Sequence, residues 1–426
     1  MKTLPGGSSL STMRRLPPLC VMGLANGTLG FASGIMNFVM PQLMASVHVP
    51  EPRIALITAI AVSPNFWFVL FGPILDVRFS RRWYAALLAG MSGSAAIVAV
   101  LSLHHLAVLQ MAMVLCNAAA MMSSAALGGW LSNIVPDEHK NPLSKWMNIA
   151  LVSGTGLIVG LGGELVRGLG IVPAAVLLGL LVFLPTVAFP LIPAPGPDRR
   201  LAGESFAQFN REVIAMLKRR EVVVVLLLFL SPCSSFVLPN LMGGLGSDFH
   251  ASARAVSFWG GVGAFIPGLL GCFVFPVIAR KVPLRFFYLG NGILGCLFTL
   301  SLAVMPHTTG TFATALFGEY LFQAVAFSIQ IGIIFEAIGP DNPLAATTFS
   351  LLTASTNVPV TYVTLIDGRA YAKAGITGTL IVDAAIGIVT CLAAGVVLAR
   401  VARRNLSTTA GMVSSAETVA ETVEEG

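Results

Sequence analysis

Two carboxyl side chains fall in the middle of long apolar runs. Glu319 sits in Gly318-Glu-Tyr-Leu-Phe-Gln323, and Asp383 in Leu380-Ile-Val-Asp-Ala-Ala385. An ionisable group kept in hydrocarbon costs several kcal/mol, so its retention there points to function, above all to taking up and giving back a proton. The competing roles are a structural hydrogen bond for Glu319 and helix packing for Asp383. Side-chain amides recur at similar depth: Asn37, Asn117, Asn240, Gln323, Gln330 and Asn357. They suit hydrogen bonding to a polar small molecule, or to neighbouring helices. A third group lies where apolar runs end: Asp76, Arg78, Arg81 and Arg82, with Arg285 and Glu336 much later in the chain. Opposite charges at such ends can form ion pairs that latch one face of the molecule. Glu164 with Arg167, and Asp367 with Arg369, are expected to pair on the other face.

Other chemistry is missing from the pattern. His48, His104, His105, His139, His250 and His307 all fall at the ends of apolar runs, with no HExxH and no nucleophile elbow. No catalytic residue, metal or cofactor is expected. The six cysteines lie inside apolar segments without CxxC spacing and read as packing residues.

The elements that must position these groups follow from composition. Of 426 residues, 56% are hydrophobic and 10% charged, whereas soluble domains carry roughly a quarter charged residues. The solvent must be lipid. A bilayer core takes about 20 helical residues, and twelve runs of that order emerge. They are Pro18–Met44, Ile54–Leu75, Trp83–Leu103, Leu106–Ile134, Leu143–Val166, Leu169–Ile192, Val222–Met242, Ala255–Ala279, Phe286–Met305, Thr311–Ile338, Leu344–Ile366 and Gly375–Ala399. Unpaired backbone groups are too costly in lipid for anything but helices or a closed barrel, and spans this long exclude the barrel.

With the N-terminus inside, only Arg53, Arg167, Arg254, Arg369 and Lys373 of the 25 Lys and Arg residues lie outside. That bias predicts both termini in the cytoplasm. It also explains the net charge of +6 by lipid headgroups as partners, so nucleic-acid binding drops out.

The two halves repeat in order. Phe38-Val-Met-Pro-Gln-Leu-Met44 in span 1 matches Phe236-Val-Leu-Pro-Asn-Leu-Met242 in span 7. Pro73-Ile-Leu-Asp76 with Arg82 matches Pro276-Val-Ile-Ala279 with Arg285. Asn141-Pro-Leu143 matches Asn342-Pro-Leu344. The fold class is therefore an all-α polytopic membrane protein of two pseudo-symmetric six-helix bundles, residues 1–192 and 222–404. They are joined by a linker, 193–221, with an amphipathic helix over Ser205–Arg220. A Ser-, Thr- and Glu-rich tail, 405–426, is expected to be disordered.

The loop after span 2, Gly72-Pro-Ile-Leu-Asp76-Val-Arg78-Phe-Ser-Arg81-Arg82, resembles the signature of the major facilitator superfamily, with Ser80 where that family usually has Gly. The resemblance implies a secondary transporter working by alternating access, a monomer with a small-molecule substrate and a proton as coupling ion. Gly30-Phe-Ala-Ser-Gly34, Phe71-Gly-Pro-Ile-Leu-Asp76 and Ala346-Thr-Thr-Phe-Ser-Leu-Leu352 are similar to the AmpG-type muropeptide permease and acetyl-CoA transporter branch. That similarity implies proton-driven muropeptide uptake across an inner, or plasma, membrane. No span carries two cations at mid-depth, which counts against acetyl-CoA and other highly charged cargo. A drug or metabolite efflux pump of the same superfamily is the nearest alternative. A membrane-embedded enzyme or receptor finds no motif or soluble domain to support it.

Overall fold

The computed structural model describes residues 16–77, 79–194, 206–339 and 342–424. Among them, ten apolar helical stretches are long enough to cross a bilayer. One of these, Ala345–Arg400, is 56 residues long and carries a kink at Ala374 and Gly375. Gly375 lies at φ 62°, ψ −157°, a region that side chains with a Cβ avoid. Spans 11 and 12 meet at this kink. Span 7 is broken into Arg220–Leu230 and Leu238–Leu245, too short to be recognised singly. Together these account for the twelve spans expected.

The breaks follow from proline. In span 1 the helix opens into a π-helical turn, Ile35–Val39, immediately before Met40–Ser46. Pro41 has no N–H to give to the carbonyl four residues back, and its ring crowds that carbonyl. The matching segment of span 7 meets the same constraint at Pro239 and also carries Pro232. There the chain leaves helical geometry altogether between Ser231 and Val237, with Ser234 at φ 53° and Phe236 at φ 44°. Span 2 ends as a tight 3-10 helix, Phe68–Asp76, with Pro73 inside it.

The linker helix forms at Phe206–Lys218, as the apolar spacing predicts. The last helix runs on through Glu424, over the residues whose composition suggested disorder.

The apolar core is asymmetric. At one end a single cluster unites both halves, joining Leu75, Trp130 and Leu143 to Leu284, Phe335 and Phe349. At the other end each half keeps its own cluster. The first half packs Met36, Met44, Val100 and Leu109, and the second Leu238, Phe249, Phe312 and Leu380. The halves are thus sealed together at one end only.

Within the first half, spans 1 and 5 approach to backbone contact. A Cβ at Gly30 would meet the carbonyl oxygens of Leu151 and Ala150 at 2.5 and 2.7 Å, whereas one at Gly160 would meet nothing within 4 Å. Gly30→Ala is expected to destabilise the protein by about 1–3 kcal/mol as an overpacking change, and Gly160→Ala to be neutral. Thermal unfolding of the two variants in detergent checks this, and equal midpoints would contradict the packing described.

Candidate functional site

At the sealed end, Asp76 closes span 2 and faces the start of span 11. Its Oδ1 accepts from Arg81 Nε at 2.8 Å and from the Ala346 amide at 3.1 Å; its Oδ2 accepts from the Thr347 amide at 2.7 Å and the Thr347 hydroxyl at 2.6 Å. The carboxylate therefore caps the N-terminus of a helix in the opposite half, where the peptide dipoles favour negative charge. Arg81 Nη2 lies 2.7 Å from Asp76 Oδ1 and also donates to the carbonyls of Pro343 at 2.7 Å and Asn342 at 3.4 Å. Asn133 of span 4 donates to the same Asn342 carbonyl. Both members of the ion pair are buried, so each depends on the other for its charge.

Of the other latch candidates, Arg78 lies outside the described residues, and Arg82 is half-buried with no ion pair among the described residues. Glu336 is exposed and forms no ion pair within 4 Å among the described residues. It lies within electrostatic range of Arg285 and Lys140, so the tight contact expected with the Arg285 cluster is not made. Lys140, the other cation near Glu336, is held by Asp137 at 2.6 Å in its own helix.

A second seam runs between span 5 and spans 8 and 10. Asn148, 0% exposed, donates from Nδ2 to the Ala324 carbonyl at 2.8 Å and to Ser328 Oγ at 2.9 Å, with Cys272 Sγ at 3.3 Å. One helical turn or more toward the sealed end, Gly332 leaves room for Asn141 and Ser144. Lys145 Nζ lies 4.8 Å from the Trp146 ring and 5.2 Å from the Phe273 ring of span 8. Asn148 was not among the residues singled out from sequence. It is one more amide in an apolar run, and only tertiary structure shows that it bridges the halves.

The two mid-membrane carboxyls come together within the second half. Glu319 is 1% exposed, and the Thr299 hydroxyl of span 9 donates to its Oε1 at 2.5 Å. Asp383 is half-buried and lines a small cavity with Thr299, Cys296, Pro232 and Ser235. It is within electrostatic range of both Glu319 and Asp367. The cavity therefore brings Asp383 and Thr299, the hydrogen-bond partner of Glu319, to the break in span 7. Asp367 departs from expectation: it is 0% exposed with neither carboxyl oxygen hydrogen-bonded, while Arg369 is exposed. The expected outer-face pair between them is absent because the helix turns Asp367 inward. Glu164 and Arg167 do pair, at 2.8 Å.

The amides divide. Gln323 donates to the Phe236 carbonyl at 3.1 Å, so it satisfies a backbone group freed by the break, and the Tyr362 hydroxyl does the same for Leu230 at 2.9 Å. Gln330 donates to the Tyr288 hydroxyl, and Asn117 to the Ala61 carbonyl and to Asn65 Oδ1. Among the described residues Asn357 donates only to a carbonyl of its own helix, that of Thr353. Asn37 is exposed in the π-helical turn, with no side-chain hydrogen bond among the described residues. The Asn240 side chain lies outside the described residues.

A polytopic helical bundle in two halves, sealed at one end and carrying buried carboxyls beside a broken helix, is the architecture of a solute transporter. The model of the Major Facilitator Superfamily matches residues 22–343, and the chain belongs to that family. It is thus a multi-pass membrane transporter and not an enzyme. Solved structures with this fold include three instructive neighbours. The E. coli fucose:proton symporter FucP is 12% identical with a TM-score of 0.69, covering 88% of this chain and 97% of that one. The human organic anion transporter MFSD10 is 15% identical with a TM-score of 0.67, covering 89% and 100%. A bacterial homologue of the iron transporter ferroportin, in an outward-facing state, is 16% identical with a TM-score of 0.63, covering 90% and 99%. Comparison with curated proteins finds no match.

The Asp76 junction should respond unequally to loss of its two partners. Asp76→Ala leaves the Arg81 guanidinium buried without a counter-charge, at a cost of about 3–5 kcal/mol. Arg81→Met leaves Asp76 with the three donors of Ala346 and Thr347 and is expected to cost about 1–3 kcal/mol. Thermal unfolding, together with thiol labelling of a cysteine placed at the buried Ser350, measures both. A larger effect from Arg81→Met would contradict the helix-capping role.

Proposed function

We propose that the protein is a proton-coupled secondary transporter that imports a small polar solute by alternating access, with muropeptides as the particular cargo. The observation that carries this reading is the placement of Glu319. It is a carboxyl buried in the second half, in range of Asp383 and bonded to Thr299, which with Asp383 lines a small cavity at the span 7 break. Proton exchange at Glu319 and Asp383 would change charge beside the segment that must move.

The single shared core at the Asp76 end supports a conformer closed on that side, which the distribution of Lys and Arg assigns to the cytoplasm. On this reading both termini are cytoplasmic in an inner, or plasma, membrane. The two bundles, 1–192 and 222–404, rock as units about the 193–221 linker, and one copy of the chain suffices. Asp76, Arg78, Arg81, Arg82, Arg285 and Glu336 form the cytoplasmic gate. Asn37, Asn240 and Asn357 face the solute, while Asn117, Gln323 and Gln330 hold the helices that frame it. The known fucose:proton symporter of this fold supports proton coupling to a polar, uncharged solute.

A second reading, efflux of a drug or metabolite, gains from one observation. Gln323 and Gln330 are committed to the protein, whereas Phe236, Phe322 and Phe298 cluster at the break with ring centroids 5.9–6.0 Å apart. That arrangement suits apolar cargo.

Uptake of a labelled anhydromuropeptide into proteoliposomes under an inward proton gradient tests the main reading. Wild-type protein is expected to accumulate it. Glu319→Gln should fall to the level of empty vesicles in gradient-driven uptake yet retain exchange of internal for external solute. Accumulation only under the reversed gradient would select efflux, and no transport in either direction would remove the muropeptide assignment.

A further inference from the structure

The linker helix Phe206–Lys218 has two faces whose partners differ. Val213 and Met216 pack against the core cluster shared by the two halves. Ile214 and Leu217, beside them on the helix, remain 50% and 40% exposed. At 100° per residue, Arg211, Ala215 and Lys218 lie beyond these two. An apolar strip with cations above it is the arrangement of a helix lying in a membrane interface, its stems in the acyl boundary and its charges among headgroups.

Cations predominate around this strip, and Glu212 lies well round the helix from Ile214 and Leu217. Arg82, Lys218, Arg280, Lys281 and Arg285, all at this end of the molecule, form no ion pair among the described residues. Glu221, the acid next to the helix, is already faced by Arg219 at 3.6 Å.

The helix is also tied to the latch. Arg219, at its end, donates to the carbonyl of Ile338, the last residue of span 10, at 3.4 Å. The same carbonyl accepts from Asn342 Nδ2 at 2.8 Å, and the Asn342 carbonyl accepts from Arg81 and Asn133. A continuous hydrogen-bonded path therefore runs from the linker to the Asp76–Arg81 pair.

We propose that the linker helix is a docking surface for anionic phospholipid headgroups, and that its docking steadies the Asp76 junction through Arg219. Headgroup charge draws Lys218 and its neighbours to the membrane, and Ile214 and Leu217 enter the acyl boundary. The helix then holds Arg219 against the end of span 10. The surface recognises charge at the membrane, whatever solute the protein carries.

Hydrogen exchange of the full-length protein in nanodiscs tests this, comparing phosphatidylglycerol with phosphatidylcholine. Phosphatidylglycerol is expected to slow exchange several-fold in the linker helix and at the Ala346 and Thr347 amides, which bond Asp76. High salt should erase the difference, because headgroup attraction is screened. Ile214→Ser combined with Leu217→Ser should abolish the slowing in both places. Arg219→Gln should keep it in the helix and lose it at Ala346 and Thr347. Equal exchange in the two membranes would overturn the docking, and undiminished slowing at Ala346 and Thr347 in Arg219→Gln would overturn the coupling.

Discussion

Everything at the sealed end depends on one carboxylate. Asp76 belongs to the first half, but the groups that neutralise it divide between Arg81 of its own half and the helix N-terminus of span 11 in the other. The interaction is therefore both an ion pair and a helix cap. Because the guanidinium and the carboxylate are both buried, neither can be exposed singly without a large cost, and the junction must open as a unit. A contact of this kind behaves as a two-position element, which alternating access requires of a gate.

The second half carries the complementary property. Proline sets the break in span 7, and the cost of its unpaired carbonyls is met by Gln323 and Tyr362 from spans 10 and 11. Irregular backbone is tolerated at membrane depth only when protein supplies such partners. The equivalent segment of span 1 achieves less: Pro41 yields a π-helical turn, not an unwound segment. Duplication has left one half the more regular frame, while the other holds the irregular segment together with the buried acids Glu319 and Asp367 and the half-buried Asp383. The acids and the broken backbone thus share one bundle, with the Asp76 junction reaching across from the other.

Much of this was legible in the residues themselves. Span count, the two halves and the linker helix follow from apolar run length, internal repetition and amphipathic spacing, which are properties of local sequence. That Asp76 can cap or pair at a helix end beside Arg78, Arg81 and Arg82 was readable because the motif gathers acid and bases within seven residues. What sequence could not convey is which of several equivalent groups meets a partner. Arg82 and Arg81 look alike in sequence, yet only Arg81 points into the junction. Gln323 reads as a solute ligand but is spent on the Phe236 carbonyl, because nothing local reveals that span 7 unwinds opposite it. Asp367 reads as a surface acid beside Arg369 and is instead turned inward. Asn148 drew no attention at all, since its value lies wholly in the span that faces it.

The central claim is that the Asp76 junction controls which end of the molecule is sealed. Pulsed electron resonance on spin-labelled cysteines measures this directly, with one pair at His139 and Lys281 near the junction and another at Glu51 and Arg254 at the far end. If the junction is the gate, Asp76→Ala lengthens the His139–Lys281 distance and shortens the Glu51–Arg254 distance in the same population. If the first distance grows while the second stays fixed, the junction is a local stabilising contact and the account of alternating access built on it is wrong.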